Sequence, residues 1–172
     1  MKTGSQAHFT GMTGVYYIMY QLSARGFHAA CTARNAPHLD ILVSSEDGEK
    51  SLAIQVKTSQ HAINTRGSGA NRKPNFLGFD LGYKAAKLNR PRVIFAFVDL
   101  ASKSDKKVAV YLVPSPKVSE WCAPWIENKL TRIRFQPSIE WMEEYREAWH
   151  QVAKAVGDPR EHATDTLEST QE

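Results

Sequence analysis

Asp40, Gln55 and Lys57 are the residues of this 172-residue chain whose types and spacing could do chemistry. Gln55 and Lys57 lie in L-A-I-Q-V-K-T, Leu52 to Thr58, a stretch apolar and β-branched enough to form a buried strand. Positions i and i+2 of a strand share a face, so Gln55 and Lys57 join Ala53 while Leu52, Ile54 and Val56 take the other side. A buried Lys needs a partner or a purpose. Asp40 is the first acidic residue of the sequence and could supply either. In a structural reading, an Asp–Lys pair beside a hydrogen-bonded Gln sits on a half-exposed sheet and contributes little. In a functional reading, the Asp40 carboxylate, the Gln55 side-chain oxygen and the Val56 carbonyl hold Mg²⁺ (or Mn²⁺). Such an ion keeps several waters and needs only one or two carboxylates. Lys57 would then orient or help deprotonate a water and offset charge on an attacked phosphate.

Asp40 meets the other two only if the chain folds back between them. Asp47-Gly48 is the strongest tight-turn signal present, and a two-residue loop there pairs residues whose numbers add to 95. A four-residue loop on the same centre keeps that register. Val43 then faces Leu52, Ile41 faces Ile54, Asp40 faces Gln55 and His38 faces Lys57. Leu39, Ile41, Val43, Leu52, Ile54 and Val56 form an apolar face that anchors the register. His38, Asp40, Gln55 and Lys57 fall together on the other, with His38 an auxiliary ligand or base, or a local hydrogen-bonding group.

The flanking elements follow from periodicity. Phe9 to Arg25 is a helix stopped by Gly26, and Phe27 to Thr32 and His38 to Ser44 are strands. Ser59 to Asn75 is a polar loop, without the spacing of a phosphate-binding P-loop. Phe79 to Leu88 is a second helix, with Asp80 as its cap or dipole partner. Arg92 to Asp99 is a buried strand with Lys107 to Val113 as its hairpin partner, and Thr131 to Phe135 is a short strand. Beyond Pro114 the chain turns helical, ending in an amphipathic helix Ile139 to Val156 with Trp141, Tyr145, Trp149 and Val152 on one side. This order implies an α/β fold, a central mixed sheet flanked by helices. Residues 1–156 are expected to form one domain, with a helical extension from about 114, and 157–172 an acidic disordered tail.

Net charge is +4, unevenly spread: 16 Lys/Arg against 7 Asp/Glu through Lys117 (+9), then 6 against 11 (−5). Between Lys57 and Arg92 the only acid is Asp80, against eight basic residues. Arg66, Arg72 and Lys73 in the polar loop, with Lys84 and Lys87 beyond it, form a candidate phosphate track, or a solvated basic surface. No apolar run is long enough to span a membrane, and the first residues lack a secretory apolar core. Cys31 and Cys122, far apart and outside any C-x-x-C, fit free thiols in a reducing cytoplasm. The histidines show no zinc-ligand spacing, and the tryptophans fit core or interface positions.

An Asp opening a hairpin strand, a Gly-containing turn, and a strand ending I-Q-V-K-T resemble the PD-(D/E)xK nuclease superfamily, here as D-x14-Q-x-K. The resemblance spans about Thr10 to Pro114 and implies a restriction-endonuclease-like three-layer core. It also implies metal-dependent hydrolysis of DNA phosphodiesters, with Asp40 and Gln55 as metal ligands and Lys57 as catalytic lysine. Two departures are a Gln where an acid is commoner, and a first helix without a Glu, apolar near Val15 where one is expected. Two further readings follow. One is a catalytically weak or inactive nucleic-acid-binding module, the other a protein-interaction, toxin or defence-system component. A two-fold homodimer would suit double-strand cutting.

Overall fold

The computed structural model describes residues 4–33, 39–68, 73–101 and 107–159. Helix α1 spans Gly4–Ser23 and stops where Gly26 turns to φ 83°, a conformation open to glycine. Strands β1 (His28–Cys31), β2 (Ile41–Ser44) and β3 (Ser51–Ser59) form an antiparallel meander. The apolar alternation sets its register: Ile41 pairs with Ile54, Leu42 with Ala53 and Val43 with Leu52. The turn is the four-residue form, Glu46 to Glu49, closed by the Ser45 N–H donating to the Lys50 carbonyl at 2.9 Å, with Gly48 at φ 74°.

The stretch between β3 and β7 departs from the sequence reading twice. The polar stretch expected as loop contains a ribbon, β4 (Ile63–Arg66) and β5 (Lys73–Leu77), whose short strands the Gly/Ser-rich sequence between them obscures. The expected second helix shrinks to α2 (Tyr83–Ala86), because Gly82 at φ 74° breaks the chain and the preceding β6 (Phe79–Asp80) pairs as a strand. Asp80 therefore caps nothing. It forms ion pairs with Arg132 and Arg134, each at 3.2 Å.

Strand β7 (Val93–Asp99), buried along its whole length, runs parallel to β3 and antiparallel to β8 (Ala109–Pro114). The five-stranded sheet has the order β1-β2-β3-β7-β8. Then follow α3 (Ser115–Glu127), β9 (Arg134–Phe135), which pairs with β6, α4 (Ile139–Glu143) and α5 (His150–Val156). The fold is α/β, a central mixed sheet flanked by helices.

The last amphipathic stretch is two helices, not one. Between them the chain serves the edge of β8: Leu112 N–H donates to the Tyr145 carbonyl and Glu147 N–H to that of Val110, both at 2.9 Å. Glu147 takes φ 47°, incompatible with a continuous helix. The break sends Trp141 and Tyr145 to one side of the sheet and Trp149 and Val152 to the other.

Each side of the sheet has its own core. On one, Ile18 and Leu22 of α1 and Val152 and Val156 of α5 cover Ile41, Ile54, Val56, Ile94 and Leu112. On the other, Phe79, Phe95, Phe97, Phe135 and Tyr145 form an aromatic core under α2, α3 and α4. Leu39, expected beside Ile41, packs against the aromatic core instead, because the chain bends at Asp40 before β2 begins. Burial pushes the Cys122 thiol up to about 12, while Cys31 is exposed and also free. No helix among the described residues is long and apolar enough to cross a membrane. The expected C-terminal tail lies, from 160 on, outside the described residues.

Candidate functional site

Because β2 begins opposite Ile54, the carboxyl half of β3 has β7 on one edge and no strand on the other. Asp40 fills the gap. Its N–H donates to the Ile54 carbonyl at 2.9 Å, and its Oδ2 accepts the Val56 N–H at 2.7 Å. The same Oδ2 accepts from Gln55 Nε2, which also lies 3.5 Å from the Val56 carbonyl. Among the described residues no hydrogen bond ends on Oδ1.

Burial pushes the Asp40 carboxyl above its ordinary value, against the lowering effects of the Val56 N–H and of Lys57. Burial likewise pulls the Lys57 ammonium below its ordinary value, partly opposed by Asp40 and Asp80. The direct Asp–Lys pair of the structural reading does not form. Lys57 Nζ donates instead to the Leu81 carbonyl at 3.4 Å. The result is a half-buried carboxylate and a half-buried ammonium on one strand end, each electrostatically under-compensated.

These groups open into a cleft of about 590 Å³. Its facing wall is α1, through His8, Gly11, Met12 and Val15, and Cys31 and Thr32 of the first hairpin close one end. The sequence reading gave α1 an apolar stretch near Val15 but did not place His8, Met12 and Cys31 here. The 8, 11, 12, 15 spacing of one helical face was the available signal. α1 approaches the sheet closely here: Gly14 lies against Thr58, with no room for a Cβ between them.

The other sequence-derived residues lie elsewhere. Arg66 and Lys73 face each other on the β4–β5 ribbon, and Lys84 and Lys87 are exposed on and just beyond α2, with Lys87 Nζ 5.1 Å from the Tyr83 ring centre. None of the four lines the cleft. His38 and Arg72 lie outside the described residues.

The donors fit a hard divalent cation in kind: one carboxylate, one backbone carbonyl and one amide. As placed, Gln55 turns its nitrogen towards Asp40, so ligation requires the amide to turn over and present its oxygen. Among the described residues no group of three His, Cys, Asp or Glu side chains is arranged to hold a metal. A cation here would have one protein charge, and it would relieve the desolvated Asp40.

No protein-family model matches the chain, nor does any curated protein. Among solved structures, it is similar in fold to a bacterial homing endonuclease, I-Ssp6803I, at 14% identity and a TM-score of 0.51. That likeness covers 94% of this chain and 99% of the other.

Proposed function

We propose that this chain is a metal-dependent nuclease of the PD-(D/E)xK kind, hydrolysing phosphodiester bonds in DNA. One observation carries the reading. Asp40, Gln55 and the Val56 backbone meet at the unpaired edge of β3, with a desolvated Lys57 one residue on and an open cleft in front. A fold shared with a protein named as a homing endonuclease supports it.

Asp40, the Val56 carbonyl and a turned Gln55 amide would hold Mg²⁺ or Mn²⁺, with His38 as an auxiliary group. When bound, the ion supplies positive charge to the phosphate under attack. Burial favours the neutral amine of Lys57, which can accept a proton from the attacking water and, as the ammonium so formed, supply a second positive charge beside the phosphate. The α1 wall excludes solvent from one side of the cleft. Arg66, Arg72, Lys73, Lys84 and Lys87 would carry the flanking nucleic acid. In the same reading the protein works in the cytoplasm, and a two-fold pair of chains would cut both strands of a duplex.

A binding module without catalysis is the second reading, favoured by the absence of any Asp or Glu in α1. Cleavage of plasmid and single-stranded DNA with Mg²⁺, Mn²⁺ or EDTA separates the two, with Asp40→Ala and Lys57→Ala alongside. Metal-dependent cleavage lost in both variants supports the nuclease. Wild-type protein that binds DNA in a salt-sensitive way but never cuts overturns it in favour of the module.

A further inference from the structure

The β4–β5 ribbon leaves the five-stranded sheet directly after the site strand, and beyond the pairing of its two strands with each other Phe76 makes an isolated bridge with Ser138. An isolated two-stranded ribbon is marginal unless something holds it. Here the root is held. Ala62 N–H donates to Oδ1 of the buried Asp99 at 3.0 Å, the Ala62 carbonyl accepts from Gly78 N–H at 2.9 Å and Asn64 Nδ2 at 2.6 Å, and Leu77 N–H reaches the Pro137 carbonyl at 3.0 Å. Ala62 and Leu77 are buried, while Arg66, Lys73, Pro74 and Asn75 are exposed. The ribbon is an arm with a fixed base.

The exposed part selects its partner. Arg66 is paired directly with Lys73, and no acid occurs anywhere from Ser51 to Phe79. Like charges directly opposite in an antiparallel pair are destabilising, a cost an anion between them removes. Asn64 pairs with Phe76 and Thr65 with Pro74, so Asn75 is the extra residue of a bulge, a device that re-aims a side chain. Pro74 has no N–H to offer an added strand, which disfavours a protein partner at that edge. The exposed positions carry no aromatic ring for stacking on unpaired bases. A two-stranded ribbon fits the major groove of B-form DNA, about 12 Å wide, and not the deep, narrow major groove of A-form RNA.

We infer that the β4–β5 ribbon is a groove-inserted arm for B-form duplex DNA, with Arg66 and Lys73 meeting phosphates and Asn75 a base edge. This rests on the nucleic-acid reading above and narrows its substrate to duplex DNA.

The test is fluorescence-anisotropy binding of the full chain in EDTA, where cleavage plays no part. The probes are a short DNA duplex, the same sequence as duplex RNA, and one DNA strand. Duplex DNA should bind about tenfold or more tighter than either alternative. Arg66→Gln and Lys73→Gln should each lower the slope of log affinity against log salt by about one, and Asn75→Ala should leave it unchanged. Thermal melts should show both Gln variants at least as stable as wild type, because the like-charge pair is relieved. Equal binding of all three probes, no binding, or Gln variants with the wild-type salt slope would overturn the arm. Binding through the arm without cleavage in Mg²⁺ would sink the nuclease and leave the arm standing. Cleavage indifferent to the arm variants would do the reverse.

Discussion

Val56 donates its backbone N–H to Oδ2 of Asp40 at 2.7 Å, so a side chain continues the hydrogen bonding of β3 where β2 stops. Asp40 therefore has both a structural acceptor role and an under-compensated charge, and the two separate on substitution. Folding raises the Asp40 pKa, so the stability linked to its proton is whole below the unfolded-chain value of 3.8 and is lost as pH rises through the folded value. Asp40→Asn keeps an acceptor and removes the charge. It should melt at or above the wild-type temperature at neutral pH, with the difference vanishing below pH 3.8, while cleavage is lost. A lower melting temperature at neutral pH would mean the charge is stabilising.

Lys57 has the opposite proton and the same sign of stability. Folding lowers its pKa, so its contribution is whole above the unfolded-chain value of 10.5 and is lost as pH falls through the folded value. Lys57→Met should raise the melting temperature at neutral pH, with the gain fading above pH 10.5, and lower the cleavage rate by about 10²–10³. Unfolding scans across pH, paired with single-turnover rates, check both halves. A destabilised Met variant would make Lys57 a structural residue.

Val15 lines the same cleft as Asp40 and Gln55, and Asp40 is the one carboxylate among the described lining residues. Val15→Glu adds a second, and Mn²⁺ binding followed by calorimetry should tighten by about tenfold, as charge added to a hard-cation site tunes affinity. In EDTA the same variant should melt lower than wild type, since two carboxylates then share the cleft without a cation. Unchanged Mn²⁺ affinity would overturn the metal site proposed at Asp40 and Gln55.

Gly14 and Thr58 set the distance between α1 and the sheet. A Cβ on Gly14 would lie 1.9 Å from Thr58 Oγ1, a buried oxygen with no hydrogen-bond partner. Gly14→Ala should destabilise by about 2 kcal/mol through overpacking, lowering the melting temperature by about 4–8 °C. Thr58→Ala alone should change little, and the double variant should recover part of the loss, which a double-mutant cycle reads directly. Additive effects would show that α1 is seated by other contacts.

The sequence by itself determined what depends on near neighbours and on alternation. The Asp47-Gly48 turn sets which residues pair, and a one-residue slip would turn Ile41, Val43, Leu52, Ile54 and Val56 off their shared face, so the pairing of Ile41 with Ile54, and the meeting of Asp40 with Gln55 beyond it, were legible from the sequence. The same holds for β7, apolar throughout, and for the stop at Gly26. Tertiary structure decided whatever required a distant partner. It gave Lys57 the Leu81 carbonyl rather than Asp40, and brought His8, Met12 and Val15 of α1 into the lining of the cleft. It broke 139–156 at Glu147 because the edge of β8 required backbone partners there. Amphipathic spacing reports which residues share a face, but the backbone hydrogen bonds of an exposed strand edge are satisfied by whatever the fold brings alongside.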